Sequence, residues 1–224
     1  MARVFNGSSQ YLSASSTLLT NEPIDFVLSV NSDSVTVGQV ALSLGNNGAS
    51  GFIVVSLEGT IGGDPIRIHK QSDAAANGFA SSAAYSASTW YNLGATLISD
   101  TSRAIYLNGT KTADTTNVAD PTPDFITIGA LRRSSVSAYM DGSIAETYIL
   151  DANMSDANHA VVALGYSPIW SYPIGNVRGW YPLQNDNNNR MAGGYPDLTA
   201  TGSPTDAIHP FNVIYPKING VITL

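Results

Sequence analysis

The chain of 224 residues has no cysteine, which excludes a disulfide framework and thiolate metal sites alike. Charged residues make up only 12% of it, and glutamate occurs at just Glu22, Glu58 and Glu146, none with an acidic partner two or four positions on. Histidine is equally sparse, and His69, His159 and His209 are too dispersed to read as a metal-ligand motif. No G-x-S-x-G or P-loop pattern is present. The longest apolar runs, such as FIVV and AVVAL, are far too short to span a bilayer. The N-terminal MARVFNGSSQY carries no apolar core of signal-peptide length, so no targeting segment is expected. With 10 basic against 17 acidic side chains, the net charge of −7 and pI near 4.6 argue against nucleic acid or an anionic membrane as the main partner. The simplest reading of that charge is solubility.

What the chain does have is a 43% hydrophobic content with 20 glycines and 11 prolines, which suits a turn-rich β protein with one large core. The stretch from Phe125 to Gly165 organises the rest. Ile126, Ile128 and Ala130 alternate with Phe125, Thr127 and Gly129 as a short strand that ends in a basic loop at Arg132 and Arg133. Asp141-Gly142 then reads as a hairpin-like turn, and Ile144, Glu146, Tyr148 and Leu150 alternate with Ala145, Thr147 and Ile149 as a second strand. Ser155 is placed to cap a helix with Asp156 in its first turn, its apolar face formed by Ala157, Ala160, Val161 and Leu164, stopping at Gly165.

Upstream, residues 2 to 15 read as a strand pair around Asn6-Gly7, and Ile24, Phe26, Leu28 and Val30 define the core face of the next strand. Val35–Leu44 and Gly51–Leu57 follow, separated by a Gly45–Gly48 turn, then Pro65–His69 with Ile66 and Ile68 on one face. Gln71–Ser88, rich in alanine and serine, reads as a long loop with at most a weak strand from Gly78 to Tyr85. Trp90–Ile98 and Ala104–Leu107 restore the strand pattern, and Asn108-Gly109 is the clearest hairpin in the sequence. Many short strands and almost no helix predict an all-β, two-sheet antiparallel sandwich, with Trp90, Tyr106, Ile128, Ile144 and Tyr148 in one core.

After Gly165 the composition shifts to a segment rich in proline and aromatics, in which RGWYPL and PDLTATG look like two further short strands. The expected organisation is a sandwich over residues 1–165 and a C-terminal segment over 166–224. Within that segment 177–201 completes the sandwich and 209–224 reaches a partner.

Several ordered motifs carry a family resemblance. VFNGSSQYLSAS (4 to 15), TWYNLGATLI (89 to 98), AIYLNGTKT (104 to 112) and the run from the IG strand to MSDANHAVVALG resemble laminin-G-like and concanavalin-A-like jelly-roll domains, over roughly the first three quarters of the chain. The W-Y-P-L and D-L-T-x-x-G-S-P segments, which in such domains often precede the F-x-G strand, come last here, as in a circular permutation or a strand lent to a neighbouring copy. The resemblance implies the jelly-roll architecture and leaves activity open, because the family is functionally diverse.

Glycoside hydrolases of this fold carry an E-x-D-x-x-E strand, since hydrolysis needs paired carboxylates. That motif is absent, Glu58 and Glu146 read as solvent-facing strand residues, and no catalytic residue or organic cofactor is expected. The fold often carries a calcium site on its rim, for which Asp141, Asp151, Asn153 and Asp156 are the candidate oxygens. Candidate glycan or partner contacts are Trp170, Tyr172, Asn187, Asn188, Tyr195, Phe211 and Tyr215, aromatics and amides of the kind sugars pack against. The leading expectation is a non-enzymatic virion component, such as a phage head decoration, fibre or tail protein. It would be assembled in the host cytoplasm, homo-oligomeric or bound to a capsid or tail, and able to meet a host-surface glycan. The alternative is a carbohydrate-binding lectin domain, and the third reading a noncanonical glycan-cleaving enzyme.

Overall fold

The computed structural model describes residues 2–15, 22–48, 50–170, 173–183, 186–191 and 194–208. In chain order the strands are β1 (Ala2–Asn6), β2 (Tyr11–Ser15), β3 (Ile24–Ser32), β4 (Gly38–Gly45), β5 (Phe52–Glu58), β6 (Pro65–Gln71) and β7 (Asn77–Ala84). There follow β8 (Trp90–Ser99), β9 (Ser102–Leu107), β10 (Thr110–Asp114), β11 (Phe125–Ile128), β12 (Leu131–Arg132), β13 (Val136–Ser137) and β14 (Asp141–Leu150). Helix α1 (Asp156–Ala163) and β15 (Val177–Tyr181), β16 (Thr199–Thr201) and β17 (Thr205–Ala207) complete the described chain.

Two antiparallel sheets stack face to face. The larger runs β10-β9-β8-β3-β14-β1-β17 with β15 also on β14, and the smaller runs β16-β2-β11-β4-β5-β6-β7. The core between them takes Ile24, Phe26, Leu28 and Val30 from one sheet and Leu42, Leu44, Ile53, Val55, Ile66, Ile68, Ile126 and Ile128 from the other, each at most 2% exposed. At roughly 1.5–3 kcal/mol for each side chain so buried, this layer is the main source of stability. Asn108 and Gly109, at φ 48° and 81°, form the turn joining β9 and β10, as their sequence predicts.

The stretch from 125 to 165 supplies interior strands to both sheets, β11 in the smaller and β14 in the larger. Three local expectations are overturned. The strands flanking Asn6-Gly7 are not a pair, because β1 joins β14 while β2 joins β11 in the opposite sheet. Asp141 and Gly142 make no hairpin turn; they are the first residues of β14, opposite Asn6 and Phe5. By contrast, the strand expected around Gly78 to Tyr85 is present as β7, which pairs with β6 along its length. In α1, Ser155 caps as expected, accepting from the Asn158 N–H, but the buried residues are His159 and Val162. Ala157, Ala160 and Leu164 face solvent.

The alternation along β14 breaks at Glu146, which has φ 49° and sits where the register to β3 shifts between Ala145 and Tyr148. The bulge inverts the faces beyond it. Ile144 stays in the inter-sheet core, whereas Tyr148 and Leu150 point outward into a second cluster with Val27, Met154, Val162 and Val177. Of the residues predicted to share one core, Ile128 and Ile144 do. Tyr148 lies in the outer cluster, Tyr106 is buried against α1, and Trp90 is only half-buried at a strand end. The bulge also divides the edge of β14, which pairs with β1 through Ile144 and with β15 from Thr147. β16 pairs with β2 and β17 with β1. No helix among the described residues is long and apolar enough to cross a membrane.

Candidate functional site

The outward face of the larger sheet is mostly covered, leaving a small cleft lined by Val27, Ser29, Asn92, Glu146, Tyr148 and Ser167. α1 lies across β8, and a buried polar group ties it down. Asp25 Oδ2 accepts from the Met154 N–H at 3.0 Å and the Thr96 hydroxyl at 2.7 Å and sits 3.2 Å from His159 Nε2. The His159 ring stacks on Tyr106 with centroids 3.8 Å apart. Gly94 leaves room for that ring, since a Cβ there would come within 2.2 Å of Nδ1. Burial pushes the Asp25 carboxyl above its usual range, against the hydrogen bond from His159. With both side chains sealed from solvent, this group is a structural clamp and offers no surface to a substrate.

Glu146 is also inside, at 4% exposure, where Tyr148 Oη donates to it at 3.1 Å and Trp180 Nε1 at 3.3 Å. The expectation of a solvent-facing Glu146 is therefore overturned, because the bulge turns it under Trp180. Glu58 is half-buried and accepts from Ser56 Oγ at 2.7 Å.

At one end of the molecule the carboxylates of Glu22, Asp100 and Asp120 converge, the only cluster of three potential metal ligands among the described residues. Its centre is filled by a protein cation: Lys70 Nζ, fully buried, lies 2.9, 3.0 and 2.6 Å from the three. Burial alone would lower the Lys70 pKa, but the three carboxylates hold it above its usual value. None of the expected calcium ligands belongs to this cluster. Asp141 lies in β14 with its backbone N–H bonded to Gln39, Asp151 is paired with Arg178, and Asn153 is exposed. Asp156 accepts from Tyr106 at 2.7 Å and Lys111 at 2.9 Å, and these donors hold its carboxyl below the usual range.

The residues expected to meet a glycan are not brought together. Trp170 is 49% exposed and lies edge-on to Tyr166, and Asn188 is exposed. Asn187 is half-buried and accepts from Arg3, while Tyr195, 4% exposed, is part of the main core and offers no platform. Tyr172, Phe211 and Tyr215 lie outside the described residues.

A continuous open face lies elsewhere, on the outward side of the smaller sheet. The β12–β13 hairpin crosses one part of it, where Leu131 packs with Val40, Phe52 and Val54. Beyond the hairpin, β6 and β7 present Arg67, His69, Asn77, Phe79 and Ser81 beside the buried ring of Phe52. These positions share one face because His69 pairs with both Val54 and Phe79, and Arg67 with Ser56 and Ser81. Phe79 is 44% exposed, with the Arg67 guanidinium 4.3 Å from its ring centre. His69 stands edge-on between Phe52 at 4.9 Å and Phe79 at 6.0 Å. Its Nε2 is 2.8 Å from Asn77 Oδ1, and Arg67 Nε donates to Ser81 at 2.7 Å. Burial lowers the His69 pKa despite that hydrogen bond and the nearby Glu58, so the ring is neutral at neutral pH. Sequence reading missed this face because Phe79 lies in the alanine- and serine-rich stretch. The available signal was its two-residue offset from Asn77 and Ser81, which places all three on one side of a strand.

No curated protein is recognisably similar in sequence. Among solved structures, the chain is similar to a Bacteroides ovatus protein proposed to bind carbohydrate, with TM-score 0.65 and 15% identity, covering 91% of this chain and 58% of that one. It is also similar to domain 4 of an extracellular arabinanase from Geobacillus stearothermophilus, solved with arabinotriose, at TM-score 0.59 and 17% identity over 72% and 76% of the two chains. A heptameric pentraxin from Limulus polyphemus gives TM-score 0.59 at 14% identity, over 72% and 81%. The family model for this fold matches residues 6–158, and the chain belongs to the concanavalin A-like lectin/glucanases superfamily.

Proposed function

We propose that the protein is a non-catalytic carbohydrate-binding module whose binding surface is the open face of β5, β6 and β7. The observation that carries this reading is the exposed ring of Phe79, set level with the hydrogen-bonding groups of Arg67, His69, Asn77 and Ser81. A sugar ring presents an apolar C–H face and a polar rim, and a flat aromatic surface edged by donors and acceptors is complementary to both. The similar proteins proposed or seen to engage sugars support the same reading. Against hydrolysis, Glu146 is buried beneath Trp180, and Glu22, Asp100 and Asp120 are committed to Lys70. In a virion, the setting the sequence points to, the same face would make the protein an adhesin. Titration calorimetry of the full chain against a panel of soluble polysaccharides tests the proposal. Saturable binding by at least one polymer is expected, weakened about tenfold or more in Phe79→Ala; absence of binding across the panel, or binding indifferent to Phe79, would overturn it.

A further inference from the structure

The distribution of cations sharpens the choice of ligand. Arg3, Lys70, Arg103, Lys111, Arg178 and Arg190 are each ion-paired with an aspartate or glutamate. Among the described residues three cations make no ion pair, and all three lie over the outward face of the smaller sheet. Each is seated against a different phenylalanine: Arg67 on Phe79 at 4.3 Å, Arg132 on Phe125 at 3.6 Å and Arg133 on Phe52 at 5.4 Å. Phe125 is on this face because it pairs with Gly45, which in turn pairs with Phe52.

In a chain of net charge −7, carboxylates outnumber cations, so a cation can usually find a partner. Three that do not, gathered on one face, are each held beside an aromatic ring by a cation–π contact. Arg67 uses Nε on Ser81, and Arg132 uses one terminal nitrogen on Ser13 at 2.8 Å. Their other guanidinium N–H groups, and all of those on Arg133, have no protein acceptor among the described residues. The strands and hairpin of this face carry a single carboxylate, Glu58, which is engaged by Ser56.

We infer that the face selects carboxylated polysaccharides, an inference that rests on the glycan-binding reading above. A guanidinium edge matches a planar carboxylate through two parallel hydrogen bonds, and all three of these cations are arginine. The acidity of the whole chain does not oppose this, because exposed charges more than about 10 Å away are largely screened at 0.1 M ionic strength.

The test is calorimetry of the full chain with polygalacturonate, alginate and polysialic acid, each beside its carboxyl-reduced counterpart, and with dextran sulfate. At least one acidic polymer should bind tenfold or more tightly than its reduced form and more tightly than dextran sulfate. The double variant Arg132→Gln/Arg133→Gln, which leaves Arg67 and the Phe79 group untouched, should shrink that difference while leaving the melting temperature and the affinity for the reduced polymer nearly unchanged. Equal binding of acidic and reduced forms would overturn the selectivity and leave the glycan reading standing, as would Phe79-dependent binding confined to neutral polymers. Tighter binding of dextran sulfate would overturn the choice of carboxylate. Failure to bind any polymer, acidic or neutral, would remove both.

Discussion

The outward face of the larger sheet is mostly covered by α1 and the chain after it, so that the Tyr148 ring lies 5.6 Å from that of Trp180 and the His159 side chain is almost wholly removed from solvent. The outward face of the smaller sheet is crossed only by the β12–β13 hairpin and leaves Phe79 nearly half exposed. Polar groups show what the difference costs. On the covered side Asp25 draws donors from Met154 and Thr96, far along the chain, and Glu146 draws them from Tyr148 and Trp180. On the open side Arg67 and Arg133 need no carboxylate, because water or a ligand completes them. The first arrangement stabilises the sandwich, and the second leaves recognition groups free. Substitutions should therefore separate stability from binding according to the face they touch.

The largest expected effect comes from removing the cover. Truncation after Gly165 deletes β15, β16 and β17, which pair with β14, β2 and β1, and strips Trp180 from Tyr148. The uncovered edges and apolar surface should drive aggregation, read as loss of the monodisperse peak in size-exclusion chromatography. A soluble, monodisperse truncation would show that this face does not need its cover.

Next in size is the clamp beneath the helix. Asp25→Ala leaves Thr96, His159 and the Met154 N–H without their shared acceptor in a fully buried site. Breaking such a group costs about 3–5 kcal/mol, which urea unfolding would detect directly. Glycan affinity measured well below the melting point should match the parent protein. A stability loss under about 1 kcal/mol would mean that apolar packing by Val162 and Met154, rather than the polar group, holds α1 in place.

How much of this contrast the sequence displays depends on the range of the interactions. The sandwich, β11, β14, the Asn108-Gly109 turn and the Ser155 cap all follow from local alternation and turn chemistry, and those features are legible within ten residues. The covered face is not, because Asp25 and His159 meet across 134 positions and a histidine in a helix counts as polar until its partner is known. The bulge at Glu146 is equally silent: glutamate gives no signal for φ of 49°, and the uninterrupted alternation around it suggests a straight strand. On the open face Arg67, His69 and Phe79 are visible individually, but only the β6–β7 register places them side by side.

The Phe79→Ala change should affect stability little, within about 1 kcal/mol, because the ring is half in water and stacked only on Arg67 and His69. Its effect on glycan affinity should exceed its effect on folding. If the melting temperature fell by more than about 5 °C, Phe79 would belong with the structural residues and the contrast between the faces would weaken.

The smallest effect is a pH dependence centred on His69. Burial lowers its pKa from the ordinary 6.5, so the folded protein resists a proton that the unfolded chain accepts near pH 6.5. Its contribution to stability is complete above pH 6.5 and is lost as pH falls through the lowered folded value. Binding should move the other way. Once protonated, His69 adds a cation between Phe52 and Phe79, close to Arg67, while glycan carboxylates stay ionised until far lower pH. Affinity for an acidic polymer should therefore rise as the pH is lowered below 6.5, by roughly two- to fivefold, the worth of one partly exposed charge pair. His69→Gln, which keeps a hydrogen-bonding group beside Asn77, should flatten that rise without abolishing binding. Glu58 is the one carboxylate on the strands of this face, and Glu58→Gln should leave the rise below pH 6.5 in place. If the rise survived in His69→Gln and vanished in Glu58→Gln, the charge that meets the glycan would lie at the other end of the face, and His69 would serve only to hold the rings of Phe52 and Phe79 apart.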